Sequence, residues 1–336
     1  MPCSAPPATR LAEWLVEDGI GETRAILVEG DRILEAAIEL PDTVPVGSVV
    51  EGRLIKILVK GRRGLIALTS GDEAILEGLP AHLTEGQAVR VEIVREPIPE
   101  PGRPKRALCR YSEDAPRSGP RLRQRLPRAS LHRGPGTDRF EAAGWSELLE
   151  EALTGEIAFP GGALRMSVTP AMTLFDVDGT LPPAVLAVAG TEAAARAILR
   201  KGITGSIGID LPTLPGKAER QAAAAAVDAL LPQPFERTAV NGFGFLQIVR
   251  RRERVSLPEL LQSDPAGAAT RALLRRAEWD TGTGQRILTA APAVVARLEA
   301  RPDWLDELAR RIGASIALRA DPALSISGGH VHSSQI

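Results

Sequence analysis

Cysteine is almost absent. Two residues in 336, Cys3 and Cys109, are too few for a disulfide framework or a cysteine-built zinc site. Aromatic residues are scarce, with six Phe, four Trp and one Tyr, which bears on any binding mode that stacks bases on the protein. No apolar run approaches the roughly 20 residues that a membrane span requires. The opening stretch MPCSAPPATRLAEWLVEDG has neither the cationic region nor the apolar core of a secretory signal, so a cytoplasmic protein is expected. Charge of one sign is missing too. Forty-one Lys and Arg stand against 42 Asp and Glu, a net −1, so no global field draws the chain to nucleic acid or membrane and only local clusters can do so. What is present is 44% hydrophobic and 25% charged residues, in a length that suits two or three globular domains.

Residues 11–40 read as a hairpin or meander, since TRAILVEGDRILEAAIEL places a glycine between two acids at a turn. From Val46 the runs GSVVEGRLIKILV, GLIALTSG, EAILEGLP and GQAVRVEIV are short strands with Gly turns, ending near Val94. They predict a small closed all-β barrel, with KRALCRY at 105–111 as a candidate final strand. Residues 97–136 carry eight prolines, and Arg103 to Arg133 holds ten Lys or Arg against Glu113 and Asp114. That polarity predicts a flexible basic linker, either a solvated connector or a phosphate-attracting arm. Beyond it, strands and helices alternate: a helix at 146–153, strands through TLFDVDG, helices at 191–202 and 217–231, and strand-like ERTAVNG and GFLQIVRRRERV. The alternation predicts an α/β layer with a partly parallel sheet. Helices near 266–279, 291–300 and 302–312, a strand ASIALRAD and a polar tail complete the chain.

The most informative stretch is TLFDVDGTL. Asp176 and Asp178 sit two apart at the end of an apolar strand, so both side chains leave one face. Asp210 ends the next apolar strand, SIGID, after one helix. A right-handed crossover lays these strands side by side. Oxygen-only ligands suit a hard cation such as Mg²⁺, which takes one or two carboxylates plus waters and phosphate oxygens. The alternative is a surface turn whose acids cap the following helix. The tail HVH offers His330 and His332, a two-ligand pattern on a terminus expected to be disordered.

DVDGTL by itself resembles the first motif of haloacid-dehalogenase-type phosphohydrolases. The distal acidic pair of that family is missing downstream of Asp210, and a preceding β-barrel has no place in its fold. A longer resemblance runs through about 80% of the chain. EWLVEDGIGETRAILVEGDRILEAAIE, the 46–94 barrel, PKRALCR, EIAFPGGALRMSVTPAMTLFDVDG, ITGSIGIDL and FERTAVNGFGFLQIVRRRERVSL are similar, in this order, to segments of the ribonuclease E/G family.

That resemblance implies an α+β and α/β multidomain fold. First strands of an RNase H-like subdomain would span 10–45, an OB-type RNA-binding barrel 46–112 and the basic linker 113–140. The return to the RNase H-like part would take 141–170, a DNase I-like α/β catalytic subdomain 171–260, and a small helical C-terminal region with its tail 261–336. It further implies a Mg²⁺-dependent endoribonuclease that cuts single-stranded RNA, with Asp176, Asp178 and Asp210 as the metal site and Asp176 and Asp210 as catalytic groups. RNA would be held by Lys105 and Arg106, by Arg62 and Arg63 on a barrel turn, and by Arg250, Arg251 and Arg252.

The chain also departs from the family. Asp178 stands where the family has Asn, and the Cys-Pro-x-Cys zinc link is absent from SLPELLQSDPAG. No zinc and no zinc-linked dimer are therefore expected, only a monomer or weak homodimer. About 30 residues replace the 5′-monophosphate sensor, so 5′ sensing should be lost. Arg53 to Val94 contains no Phe, Tyr or Trp, so the barrel should hold RNA weakly. A relative that binds RNA without cutting it is the second expectation.

Overall fold

The computed structural model describes residues 11–100, 102, 104–132 and 136–334; Cys3, Arg103 and Arg133 lie outside them. Turns at Gly21 and Gly30, both at positive φ, fold the first residues into a meander of β1 (Glu13–Gly19), β2 (Glu22–Glu29) and β3 (Arg32–Glu39). The chain then enters a closed five-stranded barrel made of β4 (Val49–Val59), β5 (Arg63–Leu68), β6 (Glu73–Glu77), β7 (Ala88–Arg95) and β8 (Ala107–Tyr111). Its order is β4-β5-β6-β8-β7, closed by β7 on β4, and β6 with β8 is its parallel pair. Alternation puts Leu54, Ile66, Leu76, Val91, Ile93 and Cys109 inside. Burial pushes the Cys109 thiol up to about 12, so it packs as a small apolar side chain.

The stretch 113–140, expected to be a flexible basic linker, is ordered where described. Arg117 bridges to Val49, α1 (Leu122–Arg125) follows, and β9 (Ser130–Leu131) adds to β1 in parallel. Leu122, Leu126 and Ala129 cover one face of the meander against Val16 and Ala25. Three of its arginines are held by acids: Arg123 by Asp18, Arg125 by Glu39, and Arg139 by Glu13. Mean polarity hid two leucines four residues apart, which suffice to dock a short segment on a sheet whose rim is acidic.

Next come α2 (Arg139–Ala142) and α3 (Trp145–Thr154). With Leu257 and Leu261 they cover the other face of the meander, burying Phe140, Trp145 and Leu148. The central sheet uses β10 (Glu156–Phe159), β11 (Gly162–Val168) and β12 (Thr173–Gly179). The crossover helix α4 (Pro183–Arg200) leads to β13 (Gly205–Asp210), and α5 (Lys217–Leu230) to β14 (Glu236–Arg237) and β15 (Phe245–Arg250). Helix α4 begins eight residues before the 191 start expected from its cap, because Pro183 opens it. Sheet order is β10-β11-β12-β13-β15-β14, antiparallel apart from β12 with β13. Phe175, Val177, Ile207, Ile209, Leu246 and Ile248 pack under α4 and α5. On the opposite face Leu174, Asp176, Phe245 and Gln247 are half-buried and Arg165 and Asp210 exposed, and among the described residues no helix core covers it.

After α6 (Leu257–Ser263) and α7 (Pro265–Trp279), the C-terminal part is α/β rather than helical. Strands β16 (Gln285–Ala290), β17 (Ile316–Ala320) and β18 (His330–Ser334) form the sheet β17-β16-β18, with α8 (Pro292–Glu299) and α9 (Pro302–Ile312) between them in the chain. The tail expected to be disordered is thus a strand, held because Val331 packs beside Leu288 in this core. A buried charge network joins this part to the meander: Arg24 with Glu17 and Glu22, Arg271 with Glu22, and Arg275 with Glu17 and Asp138. Among the described residues no helix is long and apolar enough to cross a membrane.

Candidate functional site

Strand parity builds the site. On β12 the inward residues are Thr173, Phe175 and Val177, so Leu174, Asp176 and Asp178 leave the opposite face. On β13, Ile207 and Ile209 point to the helices, and Asp210 shares that opposite face. The parallel register makes Asp176 and Asp210 direct Cα partners, on strands spaced about 4.8 Å apart. Asp178 lies two residues further along β12, beyond the last partner that β13 offers, and faces Ala163 of β11. Among the described residues no three His, Cys, Asp or Glu side chains are grouped so as to hold a metal ion. The fold therefore delivers an in-register pair of carboxylates with a third acid flanking it. The donor set fits a hard divalent cation that draws its remaining ligands from water and phosphate, for which one or two carboxylates are usual.

The other neighbour of Asp176 is Arg165, its antiparallel partner on β11. Its side chain is exposed and pairs with Glu156 at 3.1 Å. That hydrogen bond, and then the charges of Glu156, Asp178 and Asp176, hold its guanidinium more firmly protonated than usual. The sequence reading passed over Arg165. The signal was present in ALRMSVT, where Leu164 and Met166 are buried on either side and only the arginine between them can face out.

The same face also carries Phe245, the Cα partner of Asp210. Its ring lies against the glycine next along β13: a Cβ on Gly208 would stand 2.5 Å from Phe245 Cζ. Just before it, Phe243 is 85% exposed.

The basic residues expected to contact RNA do not form one cluster. Arg62 is exposed on the β4–β5 turn, beside Arg63, which pairs with Glu77 at 3.0 Å. Arg106 pairs with Glu73 at 2.6 Å, and Lys105 holds Glu100 while donating to the Pro170 carbonyl at 2.9 Å. Arg250 is the register partner of Gly205, five residues from Asp210, or roughly 17 Å along the strand. It donates to the Ile203 carbonyl at 3.0 Å, and burial lowers its pKa. Arg252 is tied to Glu259, and burial lowers its pKa as well. Arg251 remains 77% exposed beside Glu253. The 250–252 arginines thus occupy the edge opposite the acid pair and cannot share its phosphate. His330 and His332 stack at 6.0 Å on β18, in the separate C-terminal sheet.

The acid pair lies at the surface of the sheet, with Asp210 exposed and Asp176 half-buried. A cleft of about 530 Å³ lies elsewhere, lined by Glu17, His132, Trp279 and Arg311 among others. There His132 stacks on Trp279 at 5.1 Å, and burial lowers its pKa. An extended chain needs a face; a compact metabolite needs a hole.

Scanned against models of known protein families, the chain matches none, and no curated protein matches it.

Proposed function

We propose that this protein is a Mg²⁺-dependent endoribonuclease that hydrolyses phosphodiester bonds in single-stranded RNA, with the ribonuclease E/G-type organisation that its sequence resembles. The observation that carries the reading is the register of Asp176 on Asp210 at the carboxyl edge of the one parallel pair in the six-stranded sheet. Ligand sites in α/β layers lie at such edges. The barrel supports it. Numbered within the barrel, the order is 1-2-3-5-4 with strands 3 and 5 parallel, as an OB-type fold requires. OB folds bind oligonucleotides over strands 2 and 3 and the 1–2 and 4–5 loops. Arg62 sits on the 1–2 loop with Arg63 opening the strand after it, and Lys105 and Arg106 end the 4–5 loop.

Asp176 and Asp210 would hold the cation, with Asp178 adding charge nearby. A bound Mg²⁺ would supply Lewis acidity for the phosphodiester and for the attacking water. The chain's own groups do the rest. Arg165 offers a fork of N–H donors beside the acids and can clamp a non-bridging phosphate oxygen. The exposed Arg165 and Asp210 leave an extended strand room to pass. On the barrel, the outward residues of its strands 2 and 3 are Arg63, Leu65, Ala67, Glu73, Ile75 and Glu77. They set one arginine, itself paired with Glu77, against two glutamates and include no aromatic, so this face adds little and phosphate binding falls to the loop cations.

A second reading, RNA binding without cleavage, is favoured by the place of Asp178, which faces Ala163 of β11 and lies beyond the last partner of β13. The preceding closed barrel and the missing distal acidic pair speak against a phosphohydrolase. The test is to incubate single-stranded RNA and a phosphomonoester with and without Mg²⁺, comparing native protein with Asp210→Ala. Internal RNA cleavage lost in the variant supports the proposal. Retention of RNA without cleavage supports the second reading, and phosphate release from the monoester with RNA left intact overturns both.

A further inference from the structure

We propose that Phe243 is a stacking platform for an RNA base next to the phosphate addressed by Asp176 and Asp210. The inference rests on the functional reading above and names a base-binding subsite within it.

All eleven aromatic residues lie among the described residues, and ten are buried or half-buried. Phe243 alone is exposed, at 85%. Single exposed apolar side chains are ordinary on a protein surface; this one is distinguished by a loop pinned at several points. Asn241 Oδ1 accepts from the Phe243 amide at 2.9 Å and from the Phe245 amide at 3.0 Å. The Asn241 amide donates to the Phe245 carbonyl at 3.0 Å. The Gly244 carbonyl accepts from the Leu211 amide at 3.2 Å, which fastens the loop to the residue after Asp210. Gly244 sits at φ +93°, and a Cβ there would stand 2.3 Å from the Leu211 carbonyl oxygen. Only glycine permits that approach. The backbone therefore holds an exposed Phe243 just before β15, one strand over from Asp210.

The surroundings select the occupant. Gly242 precedes the ring, with nothing within 4 Å of where its Cβ would be, which leaves room for a flat partner to approach. The flanking residues Asn241 and Gly242 are polar or small, so the exposed ring falls short of the broad apolar centre that a protein interface needs. The nearby carboxylates repel an anionic membrane surface. A nucleobase presents a π-face of matching size whatever its identity, and Phe245, the register partner of Asp210, extends the aromatic surface toward the acids. Phe243 also restores what the barrel lacks.

The experiment uses the full chain with Phe243→Ala and Phe243→Trp. The probes are a single-stranded oligoribonucleotide and the same oligomer with abasic residues through its centre. The native protein should cut the abasic oligomer about tenfold less efficiently than the intact one. Phe243→Ala should cut the intact oligomer about tenfold less efficiently and show no further loss on the abasic one, while Phe243→Trp recovers native behaviour. A readout independent of cleavage is indole emission, compared between Phe243→Trp and native protein with chelator present. The added emission should be quenched by the intact oligomer and not by the abasic one. Quenching without any cleavage would sustain the platform and overturn the nuclease reading. Cleavage with no quenching, and with losses from Phe243→Ala and from abasic residues that simply multiply, would overturn the platform alone. Neither quenching nor cleavage would overturn both.

Discussion

Asp176 and Asp210 are register partners on adjacent parallel strands, and both face the side of the sheet that carries no helix. Like charges placed directly opposite each other weaken a sheet by a few tenths of a kcal/mol or more. Their juxtaposition is an arrangement that folding alone does not reward. Asp176→Asn and Asp210→Asn should each lower Mg²⁺-dependent RNA cleavage by at least about 100-fold and leave the melting temperature equal or higher. A fall in stability alongside the fall in rate would mean that the acids are structural.

Arg165 pairs with Glu156 and lies beside Asp176. If it clamps a phosphate, Arg165→Gln should raise KM and lower kcat together, about tenfold in kcat/KM, with Arg165→Lys recovering only part because the planar fork is lost. Unchanged kinetics at low salt would limit Arg165 to the ion pair with Glu156.

Binding through the barrel loops should be salt-dependent. Each phosphate contact on a single strand contributes about 0.7 to the slope of log affinity against log salt. Arg62→Gln, at an exposed position on the β4–β5 turn, should reduce the slope by about that amount. Arg250→Gln should leave it unchanged, since that side chain is committed to the Ile203 carbonyl. Titrations of labelled RNA at several salt concentrations decide between these outcomes.

Lys201 is fully buried against Glu151, with Nζ 2.7 Å from the carboxylate. Burial outweighs that partner and brings its pKa down to about 8 from 10.5. Between these values the unfolded chain holds the proton and the folded chain does not, so stability contributed by this residue rises with pH from about 8 to 10.5. Native protein should therefore gain stability relative to Lys201→Met across that window in chemical denaturation. Glu151→Gln should cost about 3 kcal/mol at pH 7, because it strands a buried ammonium, and less at pH 9.5. A parallel pH dependence in native protein and Lys201→Met would refute the assignment.

Gly190 lets α4 lie directly on β12: a Cβ there would stand 2.3 Å from Val177 Cγ1. Overpacking costs about 1–3 kcal/mol, offset by roughly 1 kcal/mol of helix propensity. Gly190→Ala should thus destabilise by up to about 2 kcal/mol in urea unfolding. It should also lower RNA cleavage, since Val177 lies between Asp176 and Asp178.

Much of this was legible in the chain. Meander, barrel, crossover helix and acid-bearing strands each depend on local alternation and Gly turns, signals that survive without knowledge of the partner. Arg165 was legible too, from its place between two inward residues. Less legible was the stretch 113–132, where Leu122 and Leu126 dock on the meander and Arg123 and Arg125 find acids more than 80 residues away. Composition cannot register a partner so distant. β16 and β18 were missed for the same reason: QRILTA and HVHSS are weak strands alone, and each gains its pairing and core from the other.

The order of elements, the faces of the strands and the presence of acids at two strand ends follow from residue spacing alone, because side-chain direction in a strand repeats every two residues. Which acids meet, and which arginines stand near them, was decided only when the sheet formed. Register set Asp210 opposite Asp176 and sent Arg250 to the far edge. A ladder of hydrogen bonds converts positions distant in the chain into neighbours about 5 Å apart, and no local pattern encodes that conversion.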